Sequence, residues 1–215
     1  MKKTTLLVMA LLISALAMGA NDPYHEKMSE TLRLFAGCST SEDYLNLANR
    51  FRVIAQAESG EWLPLYYEAQ CYILMGFTGE LDAALRDAYL DKAASAIDKM
   101  LAMAPGEAEV YVMKSFYHTG YLVVNPPQRA MNTAPLINGA IARALAIEPD
   151  NPRALFLRLS NEMGTASFFG EDTSPYCEQA SELLLNWDKY ELKSPIHPDW
   201  GKEELEGIVK SCSEI

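Results

Sequence analysis

Apolar residues along this chain recur three and four positions apart rather than two, which predicts helices and no strands. The spacing predicts helices near 23–36, 41–58, 61–75, 81–103, 107–122, 136–147, 151–163, 176–190 and 200–213. The punctuation agrees. Gly37 suits a helix C-terminus, and Ser41 stands ahead of Glu42 and Asp43, acids suited to a first turn. Asp150 or Asn151 suits the cap of the helix after Pro149, with Pro152 tolerated in its first turn.

The pattern also repeats. Residues 96–111 read AIDKMLAMAPGEAEVY and residues 140–155 read AIARALAIEPDNPRAL, so Pro105 superposes on Pro149 at a spacing of 44. Leu101 then aligns with Leu145, Met103 with Ile147 and Tyr111 with Leu155. Ser59-Gly60-Glu61 superposes on Pro105-Gly106-Glu107, and Pro195 continues the series. Recurrence at this period is the signature of stacked helical hairpins. Three units follow, near 61–105, 107–149 and 151–195, with capping helices at 23–58 and 200–213. Terminal units that depart from the repeat are expected, because they close the exposed ends of the stack.

The second helix of each unit resembles a tetratricopeptide repeat: Ala144, Leu145, Ile147 and Pro149 in one copy, Met100, Leu101, Met103 and Pro105 in the other. Ala93 stands where that family has a small residue twelve before the proline. The first helices match less well, with Leu159 at a small position already filled by Ala69 and Ser115, and the period exceeds the family's by about ten residues. The resemblance covers roughly residues 61–195. It implies an all-α fold: a right-handed stack of antiparallel hairpins, a tetratricopeptide-like α-solenoid with atypical caps. It also implies a concave groove lined by first-helix residues, namely Leu63, Tyr66, Gln70, Glu109, Val112, Phe116, Arg153, Phe156 and Ser160.

The surplus residues are expected between the two helices of each unit, near 76–86, 123–135 and 164–175, although in the first unit the join itself is short (Gly76–Gly79) and the second helix is lengthened at its start. Alternating helix direction puts these joins on one edge, and insertions gathered on one face often mark a binding face. Tyr121, Pro126, Arg129, Phe168 and Phe169 would stand on that rim. Phe168 and Phe169 either bind there or tuck inward as plugs.

Charge narrows the partners. The chain carries a formal charge of −11. Such a surface repels phosphate backbones and anionic lipid, which disfavours nucleic acid and membrane surfaces. Lys2 and Lys3, the apolar run Leu6–Leu16 and the small residues up to Ala20 form a secretory signal pattern over residues 1–20. The remaining residues, 21–215, read as one domain with no membrane-spanning segment. Export to the periplasm or beyond permits disulfides. Cys177 and Cys212 balance across a turn near Ser194 and are the expected pair. Cys38 and Cys71 do not balance in this way, and Cys71 reads as a buried thiol.

Catalytic patterns are missing from the sequence. His25, His118 and His197 have no metal-helix spacing, and no phosphate loop or nucleophile elbow occurs. No metal site and no cofactor is expected. Two functions remain: a non-enzymatic scaffold for a peptide or protein partner in the cell envelope, or a small-ligand (for example glycan) binder using Tyr121, Phe168 and Phe169. Mass spectrometry of the native protein should find an N-terminus between Met18 and Asn21; an intact Met1 in the cytosol would defeat the export expectation.

Overall fold

The computed structural model describes residues 22–213, so the expected signal peptide, residues 1–20, lies outside the described residues. The elements are α1 (Pro23–Leu32), α2 (Ser41–Ala57), α3 (Leu63–Met75), α4 (Ala83–Met103), α5 (Ala108–Val124), α6 (Pro126–Ile147), α7 (Pro152–Phe169), α8 (Ser174–Asn186) and α9 (Lys202–Cys212). Single 3₁₀ segments follow α1 at Arg33–Gly37 and α8 at Trp187–Lys189. The all-helical expectation holds across the described residues.

Local chemistry explains the helix boundaries. The cap of α2 is Thr40, whose hydroxyl accepts from the Asp43 amide while the Asp43 carboxylate accepts from the Thr40 amide. Asn151 caps α7 by accepting from the Ala154 amide at 2.9 Å, with Pro152 in the first turn. Gly170 ends α7 in the left-handed region at φ 71°, and the Glu171 amide closes back on the Ala166 carbonyl at 2.8 Å.

In the second and third units the surplus residues do not form the expected loops. Residues 126–135 belong to α6 and 164–169 to α7, so the join between α5 and α6 is Asn125 alone. Pro126 and Pro127 open α6, where a missing N–H leaves no helical bond unmade. Arg129, Phe168 and Phe169 therefore stand on helices rather than on inserted loops. The long period is instead spent on long helices, with 21 residues in α4 and 22 in α6. Pro135 inside α6 cannot donate to the Met131 carbonyl. Met131 and Pro135 are both exposed, so the unmade bond falls on the solvent-facing side of α6.

Sequential helices pack as antiparallel neighbours, and α3, α5 and α7 also pack on one another as an inner row. α3 is buried on nearly every face, because α2, α4 and α5 enclose it. Two apolar clusters result, one built on α1–α5 and one on α5–α9. Phe116 and Trp200 pack against both clusters and join them.

A polar ladder crosses the inner row. Tyr66, Glu109 and Arg153 are 43 and 44 residues apart, one repeat each, so they occupy the same face of successive inner helices. The Glu109 carboxylate accepts from Tyr66 Oη at 3.1 Å, Asn151 Nδ2 at 2.7 Å and Arg153 Nε at 2.8 Å. Both ends of the Glu109–Arg153 pair are 2% exposed. Burial opposes the Arg153 charge, and Glu109 outweighs it, leaving the guanidinium pKa raised. Glu109→Ala strands that guanidinium in the core and should destabilise by about 3–5 kcal/mol. Thermal unfolding by circular dichroism should show a melting temperature lower by roughly 10 °C. Replacing both partners with apolar residues should recover much of the loss, and an unchanged melting point in Glu109→Ala would defeat the account.

Candidate functional site

The concave face is occupied by the chain itself. The residues expected to line an open groove are buried: Tyr66 is 0% exposed, Gln70 6%, Glu109 1%, Arg153 2% and Phe156 8%, with Phe116 half-buried. Their cover is a strap, residues 187–201, connecting α8 to α9. Tyr67 Oη donates to the Ile196 carbonyl at 2.9 Å, and Trp200 Nε1 donates to Tyr66 Oη at 2.7 Å. The Trp200 ring lies 5.3 Å from Phe116, and the His197 ring sits edge-on to Trp62 at 5.8 Å. Nearer α8, Lys193 Nζ bridges Glu107 and Glu148, each at 2.6 Å, and Tyr190 Oη donates to Glu148 at 2.8 Å. Burial and the Glu148 carboxylate push the Tyr190 phenol up to about 12.

Glycine is required where the strap ends. Gly201 has φ 105°, and a Cβ there would meet the Trp187 ring at 3.0 Å. The Cys177–Cys212 disulfide, with Cα atoms 5.7 Å apart, joins the start of α8 to the end of α9, as the hairpin arithmetic predicts. Cys38 and Cys71 are free thiols, and burial pushes both pKa values up.

Open space lies on the other side of α7. A cleft of about 1020 Å³ runs between the α6–α7 turn, α7, α8 and the strap. Leu155, Leu159, Leu183 and Trp187 give it apolar walls, and Lys189, Tyr190, Glu191 and Lys193 of the strap contribute one side. A second depression of about 390 Å³ lies between α6 and α7, with Ile141, Leu145, Ala166 and Tyr176 along it. Arg158 lines both. It is exposed and forms no ion pair among the described residues. Sequence reasoning missed this face. Its signal was present as Leu155, Arg158, Leu159 and Glu162, which share a stripe at helical spacing, but nothing in the pattern says which stripe meets solvent.

The aromatic rim divides. Tyr121 stacks along Tyr117, and the Arg129 guanidinium lies 4.0 Å from its ring centroid. Arg129 also forms a two-pronged pair with Asp87 at 2.7 and 2.8 Å. Pro126 is exposed at the start of α6. Phe168 and Phe169 pack edge-on to each other at 5.3 Å and are 80% and 69% exposed, so neither is a plug. Asn161 donates to Asn138 at 2.8 Å across α6 and α7, and two turns further out Met131 and Phe168 come level. Neither lines the smaller depression, and both are exposed.

This arrangement defines an all-helical stack of hairpins with a self-filled concave face and an open outer one. The sequence matches no protein-family model and no curated protein. Among solved structures, the chain is similar to the HusA haemophore from Porphyromonas gingivalis, with a TM-score of 0.77 and 25% sequence identity. The likeness covers 92% of this chain and 96% of that one. Replacing Phe168 and Phe169 together by alanine should move the melting temperature by less than about 2 °C, since neither ring is buried. Differential scanning fluorimetry measures this directly, and a fall of several degrees would restore the plug.

Proposed function

We propose that this chain is an exported, non-enzymatic carrier of a planar, largely apolar ligand of the tetrapyrrole class, held on the outer face of α7. In architecture it is a relative of tetratricopeptide arrays that has given up their peptide groove. The observation that carries the reading is the division of faces: the strap fills the concave side, and the two clefts that meet at Arg158 open on the other. The likeness to a haemophore supports it.

The residues fit such a ligand. A flat ring can lie on Leu155 and Leu183, where covering apolar surface yields about 25 cal/mol per Å² before association costs are met. A ligand carboxylate can pair with Arg158, with Lys189 on the same cleft. Glu148, Asp150, Glu182 and Glu191 also border the larger cleft, and Glu162 and Glu171 the smaller, so anionic groups are favoured only close to Arg158. None of the three histidines lines either cleft, and Tyr190 keeps its phenolic proton on Glu148. The handles on this face are thus the ring and its carboxylates rather than a metal at its centre.

Titrating the oxidised protein with haemin should shift the Soret band and quench tryptophan fluorescence at saturation. Metal-free protoporphyrin should bind within about tenfold of haemin, a difference of about 1.4 kcal/mol. Arg158→Glu, on an exposed side chain, should weaken both by about tenfold without altering the helical spectrum. Failure of both rings to bind, or indifference to Arg158→Glu, would sink the reading.

A peptide or protein partner is the second reading. It is favoured by the exposed Phe168, Phe169, Met131 and Leu136. Capture of one envelope protein that Phe168→Ala/Phe169→Ala abolishes, with no porphyrin bound, would decide for it.

A further inference from the structure

The strap belongs to two surfaces at once. Its middle inserts into the concave face, where Ile196 is 1% exposed under the Tyr67 hydroxyl. Its first half, Trp187 to Lys193, forms a wall of the larger outer cleft. Its two ends are clamped together: Gly201 lies against the Trp187 ring, and Lys202 pairs with Asp188 at 2.7 Å. Behind them α8 and α9 pack side by side and are joined covalently at Cys177 and Cys212. Beyond the short 3₁₀ turn at Trp187–Lys189, the strap has no regular structure of its own.

That is the anatomy of a loop with fixed feet and a removable middle. Swinging residues 190–200 outward breaks polar contacts of Tyr190 and Lys193 on Glu148, Lys193 on Glu107, Tyr190 on Asn151, Tyr67 on Ile196 and Trp200 on Tyr66. It also lifts Ile196 from the core, the Trp200 ring from Phe116 and Phe156, and the His197 ring from Trp62. It unwinds no helix, and the disulfide keeps α9 in place throughout. Segments of this kind open locally at lower free energy than the helices that carry them.

We propose that residues 187–201 are the movable wall of the ligand cleft, closed when cargo is held and opened to release it. The proposal rests on the carrier reading and adds its release step. Closing the strap completes the cleft wall and fills the concave face in one movement, so cargo and strap closure stabilise each other reciprocally.

Hydrogen exchange on the full oxidised chain tests this, with metal-free protoporphyrin as the probe. Without ligand, amides in 190–200 should exchange faster than those of α3, α5 and α7. With saturating protoporphyrin they should slow by about tenfold or more, since a ligand that favours the closed form stabilises it by mass action. Trp200→Phe removes the donor to Tyr66 at the end of the strap away from the cleft and keeps an aromatic ring. It should raise the protoporphyrin off-rate several-fold and leave the on-rate nearly unchanged. Porphyrin binding that leaves strap exchange untouched overturns the movable wall while the carrier reading stands. Strap amides that exchange only with global unfolding overturn it too, even if the variant fails to fold. A chain that binds no porphyrin overturns the carrier reading, and the movable wall with it.

Discussion

One carboxylate organises the interior. Glu109 sits among apolar side chains with almost no contact with water, where an ion survives only if it is paired and its lone pairs are filled. Arg153 supplies the opposite charge, and Asn151 and Tyr66 supply further donors. These partners come from α3 and from α7 with its cap, so satisfying one side chain of α5 fixes three inner helices at once. The ladder does not end there. Trp200 donates to Tyr66, which donates to Glu109, a chain of hydrogen bonds running from the strap to the anion. Burial and Glu109 keep the Tyr66 phenol protonated, its pKa well above the ordinary value, so it remains a donor.

The same ladder explains why the concave face is closed. Polar groups aimed inward from a helical stack need partners, and an open groove would leave them to water. Here the strap brings Trp200, the Ile196 carbonyl and Lys193 to meet them. An aromatic row, Phe77, Phe116 and Trp200, completes the cover where the two apolar clusters meet. With that surface used internally, the open clefts lie on the outer face of α7. There an unengaged guanidinium stands at the junction of two clefts on a chain that is acidic overall.

Legibility followed sequence distance. The hairpin stack was readable because each unit repeats one apolar pattern at one period, and equal periods place equal faces in register. For the same reason Tyr66, Glu109 and Arg153 were assignable to one surface. The Cys177–Cys212 pair followed from counting residues on either side of a turn. The joins were misread at Pro126-Pro127 because a proline pair signals a stiff loop and a helix start equally well. At residues 164–169 the small polar residues suggested a loop, whereas the helix runs on to Gly170, the residue that can adopt the terminating conformation.

What the sequence by itself determined depends on near neighbours or on the repeat period: the helical character of the chain, the Asn151 cap, the inner-row face and the disulfide hairpin. Only the tertiary structure decided what covers that inner face. Tyr67 meets Ile196 across 129 residues and Tyr66 meets Trp200 across 134, and no periodicity links the partners. A buried anion advertises that it needs donors, but not which part of the chain will bring them. Tertiary packing likewise chose which stripe of α7 faces solvent, because Arg153 and Arg158 are equally basic and differ only in what surrounds them. One is walled in by Glu109 and Tyr190, and the other is left free at the mouth of two clefts.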